Sequence, residues 1–251
     1  MSASYAVAEN QSAYVFEGRE VTLPVIVRKA RATAVTFVVD AGAARALLPT
    51  GGIEIVEVAP RKTLFTLGGI DYVDNDLGDY NEVSMAFYVR ERGATRGIPY
   101  IGAWADFLRG RLSTYIHRLP VNQSFTCAAG RGIWGFPKTV ERIELATDGD
   151  RAACHLEMDG RHVLSLESLA GGTRTMPDKA MQTYSMIDGA LHRTAFRSGA
   201  DQVGMKLGSA TLALGDHPVA DELRSLGLPK PALFSVWMGH MRGRFEAAIP
   251  V

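Results

Sequence analysis

RAACHLEMDGRHVLSLESL, residues 151–169, reads as two short strands folded on each other about Asp159-Gly160. An Asp-Gly pair between apolar-rich runs is a strong short-range hairpin signal, because a tight turn needs positive φ at both central residues. Working outward, the same grammar recurs. VTLPVIVR (21–28), ATAVTFVV (32–39), GIEIVEVA (52–59) and VSMAFYVR (83–90) are short, rich in Val, Ile, Phe and Tyr, and bounded by Gly, Pro or charged clusters. KLGSATLALG (206–215) and ALFSVWMGHMRGRFEAAIP (232–250) continue the series. Helical signals are fewer. Asp40 is placed to cap AGAARALLP, which Pro49 ends; Asn122 is placed to cap QSFTCAAG; HPVADELRSLG (217–227) closes on Gly227. Strands at this spacing with so few helices predict a β-rich sandwich, barrel or α+β fold. With no repeat and no long linker, residues 1–251 are expected to form a single domain.

Composition narrows the function classes. The chain is 47% hydrophobic and 22% charged, which separates it from disordered chains. It carries 27 Lys+Arg against 27 Asp+Glu. Zero net charge argues against bulk attraction to nucleic acid or an anionic membrane. The opening MSASYAVAENQ has neither a basic n-region nor an apolar h-region, and no stretch approaches the length of a membrane span. Two cysteines, Cys127 and Cys154, make no disulfide framework or CxxC motif. A cytoplasmic protein is expected.

Several motifs dissolve on inspection. Gly130, Gly132 and Gly135 match G-x-G-x-x-G, but a dinucleotide site needs a strand before them and a helix after. Here a helical segment precedes and Phe136-Pro137 follows, so these glycines are expected to serve tight turning and close packing. The six histidines include no HExxH and no zinc spacing, and Cys154 and His155 on one strand point to opposite faces. No metal site is expected. Asp74-Asn75-Asp76 lacks EF-hand spacing and reads as a loop beside Gly78.

The basic residues divide into 21 Arg and 6 Lys. Five lysines sit in segments that read as loops or strand ends. Lys138 instead follows Ile133-Trp134-Gly135-Phe136-Pro137 and precedes Thr139-Val140. Such a setting holds an ammonium out of water and favours the neutral amine, which attacks carbonyl carbon to form a Schiff base. Local composition alone leaves this open against a strand lysine that snorkels to the surface.

The stretch Trp134-Gly135-Phe136-Pro137-Lys138 resembles the acetoacetate decarboxylase family, whose Schiff-base lysine follows an aromatic-Pro pair. Glu17-Gly18-Arg19-Glu20 resembles the family's N-terminal segment with a substrate-facing arginine. Gly78-Asp79-Tyr80-Asn81-Glu82 resembles its Gly-x-Tyr-x-Glu stretch. Ala128-Ala129-Gly130-Arg131 and Asp216-His217 fall in matching order, so the likeness spans roughly residues 13–248. It implies a closed cone or barrel of antiparallel sheets with a few short helices. It further implies a lyase acting on a small keto acid through a Schiff base on Lys138, with no other cofactor. Arg19 is then the clamp for the substrate carboxylate and Glu82 a substrate-positioning or proton-moving group. Trp134 and Phe136 form the substrate wall, and a homo-oligomer is implied. Two departures stand out. The second lysine of the family's decarboxylases is replaced by Thr139, and the second active-site glutamate falls near Leu67. Three functions therefore remain as expectations: decarboxylation of a β-keto acid, aldolase-dehydratase condensation of pyruvate with an aldehyde, and non-catalytic binding of a small molecule.

Overall fold

The computed structural model describes residues 13–94 and 97–251, so the opening segment read above for a leader lies outside the described residues. The strands are β1 (Ala13–Phe16), β2 (Arg19–Thr22), β3 (Val25–Asp40), β4 (Ile53–Ile55), β5 (Glu57–Ala59), β6 (Lys62–Asn75), β7 (Tyr80–Glu91), β8 (Ser113–Arg118), β9 (Arg142–Asp148), β10 (Arg151–Met158), β11 (Arg161–Leu169), β12 (Arg174–Ile187), β13 (Ala190–Leu207), β14 (Ala210–Leu214) and β15 (Phe234–Pro250). The helices are α1 (Ala41–Ala46), α2 (Ile101–Leu108), α3 (Ser124–Trp134) and α4 (Pro218–Ser225).

β10 and β11 form the expected hairpin, with Asp159 at φ 52° and Gly160 at φ 69°, the double positive φ of a type I′ turn. The hairpin is the centre of a four-stranded sheet ordered β14-β11-β10-β9. The larger sheet closes on itself. Its order runs β7-β8-β12-β13-β15-β3-β6, and β6 bonds to β7 as well as to β3, giving a ring of seven strands. Every pairing in the ring is antiparallel except β8 with β12. Closure leaves those strands without an open edge, which removes the usual template for unwanted pairing.

Two cores follow from the pleat. On β7, Val83, Met85, Phe87 and Val89 face outward and pack with Leu156, Leu164 and Leu166 of the smaller sheet. The intervening residues face the barrel interior. α4 closes the outer core with Val219 and Leu223. α3 closes the inner one with Phe125, Ala129 and Ile133.

Helix ends are built from short-range polar contacts. Asp40 caps α1 as expected, its Oδ1 accepting from the backbone N–H of Gly42 and Ala43. His217 caps α4 through Nδ1, which accepts from Val219 N–H at 3.1 Å, and Pro218 takes the first turn. The expectation at α3 is corrected. Gln123, not Asn122, is the cap residue, and the helix runs on through Gly130 and Gly132 to Trp134. Asn122 instead accepts from Asn81 N–H across to β7. Among the described residues no helix is long and apolar enough to cross a membrane.

Candidate active site

α3 ends at Gly135, whose φ of 62° is a conformation glycine adopts without strain. The chain then turns back on itself, with Phe136 N–H bonding to Gly130 O at 3.2 Å, and turns tightly again about Pro137, where Lys138 N–H donates to Phe136 O at 2.7 Å. This segment lies beside residues 119–121: Val121 bridges Val140 on one side and Glu82 on the other. Lys138 and Glu82 are 56 positions apart in the sequence numbering, yet two bridges bring them to the same spot.

There, Lys138 Nζ lies 2.8 Å from Glu82 Oε2. Both residues are buried, at 4% and 5% exposure. Glu82 Oε1 accepts a long hydrogen bond, 3.4 Å, from the Tyr72 hydroxyl. The Lys138 ammonium stands 5.0 Å over the face of Tyr80, within cation–π range. Tyr72 and Tyr80 stack on each other with centroids 4.5 Å apart. Burial, reinforced by the Glu82 charge at Tyr72 and by Tyr72 and Glu82 at Tyr80, raises both phenols well above the ordinary tyrosine range. Both hydroxyls therefore stay protonated as donors near neutral pH.

The pair opens into a cavity of about 260 Å3 inside the barrel. Among the described residues, Lys138 and Glu82 are its only charged lining side chains. Trp134 and Phe136 line it. Trp134 is fixed by its Nε1–H donating to Glu246 O at 2.8 Å, and it stacks on Phe136 with centroids 5.7 Å apart. Gly130 explains its own identity: a Cβ there would stand 2.5 Å from Lys138 Cδ and 2.7 Å from Cε. The lysine stem lies across the bare helix backbone. Close packing is thus what the G-x-G-x-x-G spelling encodes here; a Cβ on Gly132 would likewise meet Phe16 at 2.5 Å.

Arg19 stands elsewhere. It is exposed on β2, its guanidinium 3.8 Å from the centroid of the Phe125 ring and next to Gly78. It is not a lining residue, although Asn75 and Leu77 of the adjoining turn are. Thr139 is exposed, whereas Lys138 beside it is buried. Leu67 is buried in the outer core while its neighbours Thr66 and Gly68 line the cavity. The departures at these two positions therefore leave one cation and one carboxylate facing each other. Tyr72 is the site residue that the sequence reading did not single out, and Tyr80 was quoted there only as part of the Gly-x-Tyr-x-Glu stretch; Tyr72 reaches the site from β6 through its pairing with Tyr80, a relation between strands that neither stretch carries alone. The remaining five lysines are exposed or half-buried, Lys230 donating to Val38 O at 2.9 Å.

A closed barrel holding a buried lysine–carboxylate pair, with the lysine behind an aromatic-Pro step, defines a class of lysine-centred site. The chain belongs to the acetoacetate decarboxylase family, whose model matches residues 5–241. Among curated proteins, none matches the chain. Similar solved structures include acetoacetate decarboxylase from Legionella pneumophila subsp. pneumophila str. Philadelphia 1, at 16% identity and TM-score 0.65, covering 100% of this chain and 98% of that one. The enduracididine biosynthesis enzyme MppR complexed with pyruvate is similar at 16% identity and TM-score 0.60, covering 90% of each chain. An acetoacetate decarboxylase-like enzyme from Sphingomonas wittichii RW1 is similar at 14% identity and TM-score 0.56, covering 91% and 92%. The fold expected from the sequence is the fold observed.

Proposed function

We propose that the protein is a cofactor-independent lyase that decarboxylates a β-keto acid through a Schiff base on Lys138. The observation that carries this reading is the buried contact of Lys138 with Glu82 in an otherwise uncharged cavity. Glu82 Oε2 is in place to take a proton from the ammonium as the ketone arrives, leaving the neutral amine to attack the carbonyl carbon. The attack forms a carbon–nitrogen bond and moves the carbonyl electrons onto oxygen, giving a carbinolamine. The attacking nitrogen passes one proton to that oxygen and Glu82, now a carboxylic acid, supplies the second, so the oxygen leaves as water while the nitrogen lone pair closes the carbon–nitrogen double bond. The product is an iminium.

In a β-keto acid the bond to the carboxylate then breaks. CO₂ departs and the bonding electrons flow into the iminium to give an enamine. Protonation at carbon, followed by addition of water, releases the ketone and restores the amine. The apolar cavity favours this step, because the carboxylate loses its hydration on entry while the departing CO₂ is neutral. Tyr72 steadies Glu82 through its hydroxyl and Tyr80 faces the cation. Arg19, exposed beside the turn that carries Asn75 and Leu77, draws the incoming anion toward the cavity rather than gripping it inside.

The test is CO₂ release from β-keto acids by the wild-type chain and by Lys138→Ala. Release by the wild type and none by the variant supports the reading. Release by both sinks it, and condensation of pyruvate with an aldehyde without CO₂ release would move the enzyme to the aldolase-dehydratase reading.

A further inference from the structure

Along β7 the inward positions are Tyr80, Glu82, Ser84, Ala86 and Tyr88, and all five line the cavity. Lys138 meets the second of them. The cavity then continues past the reactive pair for six further residues of strand, about 20 Å at ~3.4 Å per residue along the strand. Strand tilt in a barrel shortens this to roughly 15 Å along the axis.

The side chains that β3, β6 and β7 present between Glu82 and Tyr88 are small, with Ile116 of β8 as the larger neighbour opposite Ala86. The register sets Gly68 of β6 opposite both Ser84 and Ala34, and sets Thr66 opposite Ala86. None of these reaches the barrel axis, and although Ile116, Met181 and Met238 line the same cavity, a space of about 260 Å3 stays open where a typical small barrel is filled by side chains. At the far end the polar groups satisfy one another: Thr66 Oγ1 pairs with Thr36 Oγ1 at 2.9 Å, and Thr114 Oγ1 with Thr183 Oγ1 at 3.1 Å. They offer a ligand little unmet hydrogen-bonding demand. A dry cavity of about 150 Å3 admits a benzene ring; at about 260 Å3 this one exceeds what a four-carbon keto acid fills.

From this placement we infer that the substrate carries an elongated, uncharged hydrocarbon tail, which lies along the small-residue channel from Glu82 toward Tyr88 while the carbonyl meets Lys138. On the decarboxylase reading, on which this inference rests for its reacting head, the substrate is a medium-chain β-keto acid and the product a methyl ketone. Acetoacetate supplies the head without the tail. Channel length and small lining residues, not a second charged group, then set specificity.

Reductive trapping with borohydride across the straight-chain series from butanone to octanone tests this. Burying each added methylene is worth about fourfold in affinity. Octanone, four methylenes longer, is therefore expected to give half-maximal labelling, at one equivalent per chain, at a concentration roughly 250-fold below butanone. Ala86→Leu, which plugs the channel, is expected to cut that ratio at least tenfold. Equal labelling by butanone and octanone, or a ratio untouched by Ala86→Leu, overturns the inference.

Calorimetric binding of the two ketones to Lys138→Ala needs no imine and so decides the tail separately. Tighter binding of octanone there, with no borohydride adduct in the wild type, would leave the channel standing while the Schiff-base reading fell. No preference between the two ketones in Lys138→Ala would overturn the channel even if the wild type is labelled.

Discussion

Gly130→Ala separates positioning from stability. The added methyl would stand 2.5 Å from Lys138 Cδ and 2.7 Å from Cε, against ordinary carbon–carbon contacts of about 3.5–4.0 Å. The stem must therefore move by about 1 Å. It is the far part of a flexible side chain, and an off-rotamer adjustment costs of order 0.5–1.5 kcal/mol. Replacing a helical glycine by alanine returns roughly 1 kcal/mol in backbone entropy. The two nearly cancel, so Tm is expected to stay within about 4 °C of wild type. Chemistry is less forgiving, because a displacement of about 1 Å at a reacting group costs on the order of a hundredfold in rate. The assay pairs a thermal melt with the initial rate of imine formation from a β-keto acid. A folded variant whose rate is within threefold of wild type would refute the placement of Lys138 across the helix backbone. A fall in Tm beyond 10 °C would show that Gly130 serves packing and not the position of the amine.

Other outcomes follow from the same contacts. Glu82→Gln leaves a buried ammonium without its counter-charge, a loss of about 3–5 kcal/mol, so Tm should drop by roughly 10 °C while the double variant Glu82→Leu with Lys138→Met recovers most of it without activity. His117 is held below the ordinary imidazole range chiefly by burial, with its bond to Glu222 opposing. The folded state therefore binds fewer protons than the unfolded one as pH falls through about 6.5, and stability should decline from there downward; thermal melts of His117→Gln should show a shallower decline. The Cys154 thiol, pushed up to about 12 by burial, should resist a thiol reagent until the chain unfolds, and rapid labelling of the native protein would contradict its position under Gly69.

The hairpin at 151–169 was legible because a turn dipeptide and two apolar runs are local signals. The cap at Asp40 was local too, whereas the capping role of His217 emerges only from the bond of its Nδ1 with Val219 N–H. β12 was not legible. Its sequence RTMPDKAMQTYSMI carries a proline and four charged or amide side chains, and most of its first residues are exposed, so pairing with β13 and β8 rather than its own pattern makes it a strand. α2 was missed for a different reason: Tyr100 precedes it at φ 62° without a side-chain cap, and its IGAWADFL composition suits a strand as well as a helix. β7 hid the site. With one face against the outer core and the other lining the cavity, its apolar residues run together, and the alternation that aims Tyr80, Glu82 and Ser84 inward is invisible without the fold. Lys138 was singled out by its apolar, aromatic approach together with the family resemblance, and Glu82 by the resemblance alone. Their direct contact depends on two bridges through Val121, a relation between segments that no single stretch of sequence carries.

The central claim is that one lysine of six forms the imine. The most direct measurement is to reduce the complex with a β-keto acid or its ketone product by borohydride, digest the protein, and locate the added mass by fragmentation. The account predicts a single adduct on the peptide containing Phe136-Pro137-Lys138, at the Lys138 nitrogen and absent after Lys138→Ala. A stable adduct on Lys29, Lys62, Lys179, Lys206 or Lys230 instead, or a protein that turns over substrate and yet never acquires the mass, would contradict it.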